Sequence, residues 1–503
     1  MNNSDFFSSK TNGRIAYKWI ALSNTTLGTI LASLDTNIIF IALPVISSEL
    51  NASLNTMVWI VIGYSLVTAS ILLNFGRLSD IFGRVKLYRL GFTIFTLASA
   101  LCSLSQTGEQ LVLFRFIQAI GAAFIFSNSV AILTDAFPVN ERGKALGINQ
   151  VAIMFGSVLG LVLGGFLTSF LGWRSIFWIN IPIGMIGIFL SYTNLKEIGS
   201  FKREKIDWLG NISFASGLFL ILIAITFGSF GILSNLSSLF LLCIGSFSLL
   251  IIFPLIEKYV SKNYQLFDLS LFKIKTFLGG NMAILLNSIA RGGFILLISF
   301  YLQSTFMNLS PFEVGIYFIP VSVTIAIFGP LSGWLSDKYG HRFFSGLGLF
   351  ISGIGFLLLT QLEVRSSFID LLLPFVLLGA GMGIFASPNR SSIMNSVPSN
   401  RRGVSASTGT TLFYIGRSLS IGLSFLILVG FLPSEEVKEI IYDFKTNDSP
   451  YSHIDSKERA LSTEDIGFTE EKFLDAIHII FFVSAVIVFV SIIPATLNVN
   501  IKK

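Results

Sequence analysis

Fourteen apolar runs, each long enough to cross a lipid bilayer, constrain this chain more than any other feature. A helix needs about 20 apolar residues to span the hydrocarbon core. Such runs lie near 19–43, 56–76, 87–106, 110–136, 146–169, 176–194, 208–229, 236–255, 277–304, 312–335, 344–361, 369–390, 404–431 and 475–496. Backbone N–H and C=O groups have no water to bond in hydrocarbon, so runs of this length fold as helices. The expected fold class is therefore all-α integral membrane. Composition points the same way. Only 12% of the residues are charged, where a soluble domain carries about 25%, too few to coat a water-facing surface.

Several function classes drop out on the same grounds. The formal charge is +6, yet the basic residues sit in short loops between apolar runs and form no basic face, so no nucleic-acid partner is expected. Cys102 and Cys243 both lie inside apolar runs, and His341, His453 and His478 are far apart. No metal-ligand spacing or His-based triad results, so no metal or cofactor is expected. The first run carries Asp35 and no small-residue cleavage site, so it reads as a retained span and not a signal peptide. A nucleotide-driven pump would need a Gly-x-x-x-x-Gly-Lys-Ser/Thr loop, which the chain lacks.

Loop charges give the orientation. Basic residues concentrate in cytoplasmic loops. Placing both ends in the cytoplasm puts Lys10, Arg14 and Lys18, then Arg77, Arg84, Lys86 and Arg89, then Arg142 and Lys144 on that side. Lys196 to Lys205, Lys258 to Lys275, Lys338 and Arg342, and Arg390, Arg401 and Arg402 follow there too. The opposite short loops hold little beyond Arg174 and Arg365. The one long outer loop, 432–474, is mixed in charge and carries no orientation signal.

An internal repeat sits at two of these inner loops. Gly76-Arg-Leu-Ser-Asp80-Ile-Phe-Gly83-Arg84 follows span 2, and Gly333-Trp-Leu-Ser-Asp337-Lys-Tyr-Gly340-His-Arg342 follows span 10. Glycine permits close helix approach. Aspartate can cap a helix start, and arginine can pair with it or with a neighbouring helix end. A tight turn at one place in each half suits a gate, and internal repeats are the architecture of secondary transporters.

With these residues in place, the sequence resembles the major facilitator superfamily, and within it the fourteen-span drug:proton antiporter branch of EmrB/QacA type. The repeated loop matches the superfamily signature. Leu34 to Pro44 resembles the branch's span-1 motif, with Asn37 and Phe40 in place of its usual Thr and Asn. Trp59 and Tyr64 fit span 2, Arg115 to Gly121 the span-4 motif, and Trp173 to Gly184 the run into span 6, the most specific match. Asp207 to Gly210 opens the extra spans, while Tyr301 to Gln303 and Gly315 to Pro320 fit the start of the second half. The span-5 antiporter motif keeps Gly156, Gly160, Gly164 and Gly165, but Leu161 stands where the motif has proline. Gly156, Gly160 and Gly164 fall on one helix face, which preserves close packing. The resemblance implies a major facilitator fold: a cytoplasmic segment 1–18, a six-helix bundle 19–200, a two-helix insert 201–262, and a second six-helix bundle 263–499.

Charges inside spans are costly, about 2.5–3.5 kcal/mol each at helix centre, and so are functional candidates. Asp35 shares a helix face with Asn24, Thr25, Gly28 and Ala32, a small and polar face expected to meet a cavity. A buried carboxylate there can bind and release protons, the role the resemblance also implies; a fixed ion pair is the alternative. Arg115 has Gln118 on its side of span 4 and is expected to pair with ionised Asp35 and let go on protonation, or else to form a static bridge. Arg291, one turn after Asn287, could contact substrate, pair with Asp35 across the halves, or serve packing. Arg417 matches a basic position of the family and is expected to be structural. Three cations against one anion suit anionic or neutral amphiphiles better than dications. The expected activity is proton-coupled export of hydrophobic small molecules by alternating access, with the lipid bilayer, a small-molecule substrate and protons as partners. The alternatives are a narrow-specificity metabolite or antibiotic exporter and a non-transporting membrane sensor. No enzyme chemistry is expected.

Overall fold

A computed structural model describes residues 16–138, 141–198, 207–229, 232–261, 269–305, 307–398, 401–432, 436–437 and 463–497. Most of the segment 1–18 and of the loop 432–474 lies outside them. Among the described residues, fourteen helices are long and apolar enough to span a membrane. They are α1 (Tyr17–Leu50), α2 (Leu54–Phe82), α3 (Arg84–Ser103), α4 (Gly108–Ala136), α5 (Arg142–Leu171), α6 (Ser175–Asn194) and α7 (Trp208–Ser229). The rest are α8 (Asn235–Val260), α9 (Lys275–Gln303), α10 (Pro311–Tyr339), α11 (His341–Leu359), α12 (Phe368–Ser396), α13 (Arg402–Phe431) and α14 (Thr463–Thr496). No strand occurs among the described residues.

Helices α1–α6 form one bundle and α9–α14 the other, with α7 and α8 inserted. Four spans are not regular helices. Helix α6 is interrupted at Ile179, α9 at Gly292 and Gly293, and α10 at Phe318, just before Pro320. In α9 the glycine pair lets the chain turn against α13, where Gly293 N–H donates to Ser420 Oγ at 2.9 Å. Helix α8 widens to π-helix on both sides of Pro254, which lacks the N–H for the regular ladder.

The repeated loops fold alike. Each of the two helix pairs meets at a single glycine of positive φ, Gly83 at +104° and Gly340 at +95°, a conformation that favours glycine. Eight residues further on, the likeness continues. A Cβ on Gly91 of α3 would sit 3.1 Å from the Gly121 carbonyl of α4, and one on Gly348 of α11 would sit 2.6 Å from the Gly381 carbonyl of α12. The second bundle is knit around Phe294, whose ring lies 5.8–6.2 Å from those of Phe318, Phe356, Phe375 and Phe481. Helix α7 packs across the seam between α2 and α13. Trp59 of α2 meets Phe219 at 5.8 Å, and a Cβ on Gly422 of α13 would lie 3.3 Å from Ile225.

Two expectations for the repeated loops need correction. Asp80 and Asp337 do not start helices; both lie in the last turn before the glycine, in α2 and α10. The side chain of Asp80 is outside the described residues. The N–H groups that open α3 are instead capped by Glu197, which accepts from Arg84 N at 2.9 Å and Val85 N at 3.0 Å. Arg84 pairs with Asp135 of α4, whereas Arg342 has no ion-pair partner among the described residues. Nor do the loop glycines act alike. Gly333 packs on Ser387 of α12, 2.6 Å from where its Cβ would be, but Gly76 faces open space.

Candidate functional site

Between the bundles lies a chamber of about 230 Å³. It widens into a vestibule of about 490 Å³, and Gln150, Met154, Ile325 and Arg390 line both. The vestibule reaches Gly333 and Asp337 of the second repeated loop and Arg402 at the start of α13. At the opposite face the bundles touch. Phe312 N–H donates to Ser169 Oγ at 2.8 Å, Gln303 Nε2 to the Ile41 carbonyl at 3.1 Å, and Ser299 Oγ to the Phe40 carbonyl at 3.1 Å. Phe166, Phe170 and Phe312 cluster there at 5.0–6.3 Å. A Cβ on Gly165 would strike the Pro311 carbonyl of the other bundle. The cavity is thus open on the basic-loop face and shut on the other.

The span-5 glycines position the helix that carries the charge. Cβ atoms on Gly156, Gly160 and Gly164 would lie 2.6, 2.5 and 2.7 Å from the carbonyls of Ile30, Leu34 and Ile38. Helix α5 therefore lies against α1 along the turns that flank Asp35, at a distance no larger residue allows.

Asp35 is fully buried, and both its oxygens are engaged. Arg115 Nη1 donates to Oδ2 at 2.6 Å; Gln118 Nε2 and Asn180 Nδ2 donate to Oδ1 at 2.8 and 2.7 Å. Gln118 also reaches Ser99 Oγ at 2.8 Å and accepts from Arg115 at 2.6 Å. The guanidinium stacks on Tyr64, 4.2 Å from its ring centre. A charge-assisted cluster of this kind holds a carboxylate in a medium that would otherwise expel it.

This cluster sits inside the first bundle, not on the cavity wall. Asn24, Gly28 and Gln118, expected at the cavity, are also interior. Asn24 accepts at its carbonyl from Tyr88 Oη at 2.7 Å and its amide returns to the Ile20 carbonyl at 2.9 Å. Gly28 packs on Tyr88 and Ile125. A small, polar helix face serves helix–helix contact here. The cavity is met by the other side of α1, through Ser33, Thr36, Asn37 and Phe40. Asn287 and Arg291 do line the chamber. Arg291 does not reach Asp35; its Nη1 donates to the Leu378 carbonyl at 3.3 Å. Arg417 lines the chamber as well, with Nη2 donating to the Thr36 carbonyl at 2.8 Å and Asn37 Oδ1 at 3.0 Å, across the two bundles.

Asn180 and Arg390 were not singled out from sequence. Asn180 stands at the break in α6, inside the Trp173–Gly184 run. Arg390 counts there only as a loop-flanking cation, although α12 carries it into the chamber wall.

Two pseudo-repeated helical bundles around a cavity open to one face define a membrane transporter. The chain belongs to the Major Facilitator Superfamily, whose family model matches residues 25–421. Its relatives are transporters and not enzymes. It is 33% identical over 437 residues to the riboflavin transporter RibZ of Clostridioides difficile, covering 86% of this chain and 92% of that one. It is 28% identical over 414 residues to the multidrug resistance protein Stp of Mycobacterium tuberculosis, covering 82% and 76%. It is 26% identical over 432 residues to the tetracenomycin C resistance and export protein of Streptomyces glaucescens, covering 84% and 78%. In fold it is similar to a bacterial homologue of the lysosomal transporter Spinster, solved inward-facing and unoccupied, at TM-score 0.63 and 17% identity over 96% of this chain and 98% of that one.

Proposed function

We propose that this chain exports hydrophobic or amphiphilic small molecules from the cytoplasm by proton-coupled alternating access, with both termini inside the cell. The observation that carries the reading is the placement of Asp35 next to Thr36. Asp35 holds Arg115 within one bundle; the Thr36 carbonyl holds Arg417 of the other. Protonation of Asp35 removes the charge that fixes Arg115 and loosens its hold on α1. The same turn of α1 carries the contact between the bundles, so proton binding and rocking act on one short stretch of helix. The cavity opens where the basic loops lie, which the positive-inside rule assigns to the cytoplasm. Multidrug-resistance and antibiotic-export relatives support an amphiphilic cargo.

A narrow-specificity exporter is the second reading. The relative named as a riboflavin transporter and the small size of the chamber favour it.

Efflux into inverted membrane vesicles energised with a proton gradient tests the coupling. Wild type should accumulate an amphiphilic dye, and its transport should collapse with a protonophore. Asp35→Asn should retain downhill exchange but lose uphill accumulation by tenfold or more. Unchanged uphill transport in Asp35→Asn would remove Asp35 from coupling.

A further inference from the structure

The charge on the chamber wall is of one sign. Arg291, Arg390 and Arg417 all line it, and among the described residues no aspartate or glutamate does. Asp337 supplies a carboxylate only in the vestibule, where Arg402 accompanies it. Asp35 cannot offset the three arginines at contact range, because Arg115, Gln118 and Asn180 already hold both its oxygens.

None of the three forms an ion pair among the described residues. Arg291 is held by a carbonyl, Arg417 by a carbonyl and an amide oxygen. Arg390 has no hydrogen-bond partner among the described residues. A guanidinium has five N–H donors, so each has unused donors beside the cavity. Guanidinium groups in a low-dielectric pocket are unfavourable until an anion compensates them.

Their depths differ. Arg291 ends the first half of broken α9, and the backbone of Arg417 lies 2.8 Å from where a Cβ on the next residue, Gly292, would be, so these two share one level. The residue before Arg390, Asn389, bonds the carbonyl of Gly280 at 3.1 Å. Gly280 lies eleven residues before Arg291, or about 16 Å along the helix towards the vestibule. The cations therefore run inward from Arg390 to the pair at the closed end. Around that pair the wall is aromatic: Phe40, Phe126, Phe294, Phe413 and Tyr414 line it, and Arg417 stacks on Phe40 at 4.7 Å.

We propose that the substrate of this cavity is an organic anion with a flat aromatic body, its acid group received by Arg291 and Arg417 after passing Arg390. Planar guanidinium forks match carboxylates and phosphates, and they stack on aromatic rings. The proposal takes the cavity as a transport site, as above, but its binding step needs no proton gradient.

Two xanthene dyes of similar size test it by fluorescence polarisation with the purified full chain in detergent: anionic carboxyfluorescein and cationic rhodamine 6G. The anionic dye should bind at least tenfold more tightly than the cationic one. Arg291→Gln and Arg417→Gln should each weaken it tenfold or more, with Arg291→Lys falling between. Equal or tighter binding of the cationic dye to wild type would overturn the proposal, and that comparison needs no variant to fold. So would wild-type affinity for carboxyfluorescein in both glutamine variants. Loss of uphill transport in Asp35→Asn leaves these affinities unchanged; intact anion binding without any proton-driven efflux would overturn the coupling alone.

Discussion

An ionised group inside a span is costly enough to need a partner, and Asp35 and Arg115 meet that cost in one another, at 2.6 Å. On that ground each of the two stands out in the sequence. Less legible was what completes the pair. Gln118 lies one turn from Arg115 and reads equally well as a cavity residue; only the folded bundle shows it bonded to Asp35 and Ser99. Asn180 comes from a helix 145 residues away in sequence, and no local pattern connects the two. The energetic consequence is specific. Removing one partner of a buried pair strands the other's charge, at about 3–5 kcal/mol. Arg115→Met should lower the melting temperature in detergent sharply, and Asp35→Asn in that background should recover part of the loss. A double variant no more stable than Arg115→Met would show that the pair is not what the arginine supports.

At the level of helices, glycine carries three separate meanings that the sequence presents alike. Gly83 and Gly340 are glycine for their backbone angles, Gly156, Gly160 and Gly164 for contact with α1, and Gly76 for neither in this conformation. Spacing found the α5 stripe, since three residues four apart share a face. It could not separate Gly76 from Gly83, because each is a loop-motif glycine and only torsion and neighbours differ. Alanine separates them. Gly83→Ala or Gly340→Ala should cost about 1–3 kcal/mol of backbone strain, read as lower yield and a lower melting temperature. Gly76→Ala should leave both unchanged. Equal effects at Gly76 and Gly83 would refute the assignment. The breaks in α6, α9 and α10 escaped the hydropathy reading for a related reason: an interrupted span is as apolar as a whole one.

For the whole molecule, the number of spans and the repeat were readable, while the side on which the cavity opens was not. That depends on contacts between residues as distant as Gly165 and Pro311. A side chain at Gly165 would hold the bundles apart at the closed face. Gly165→Leu should therefore favour the opposite opening. A cysteine introduced at Ser299, with Cys102 and Cys243 replaced by serine, reports on this. Its labelling by a membrane-impermeant maleimide added at the closed face should rise severalfold in Gly165→Leu. No rise would mean that this contact does not hold the face shut.

At that same closed face Phe40 and Ile41 are buried, and their carbonyls are already taken by Ser299 and Gln303 of the other bundle. A cavity with arginines in its wall attracts water, and a continuous file of water through a membrane conducts protons. Apolar side chains whose carbonyls are occupied offer such a file little to bond. A face closed in this way resists proton leak while the chamber stands open to the other side.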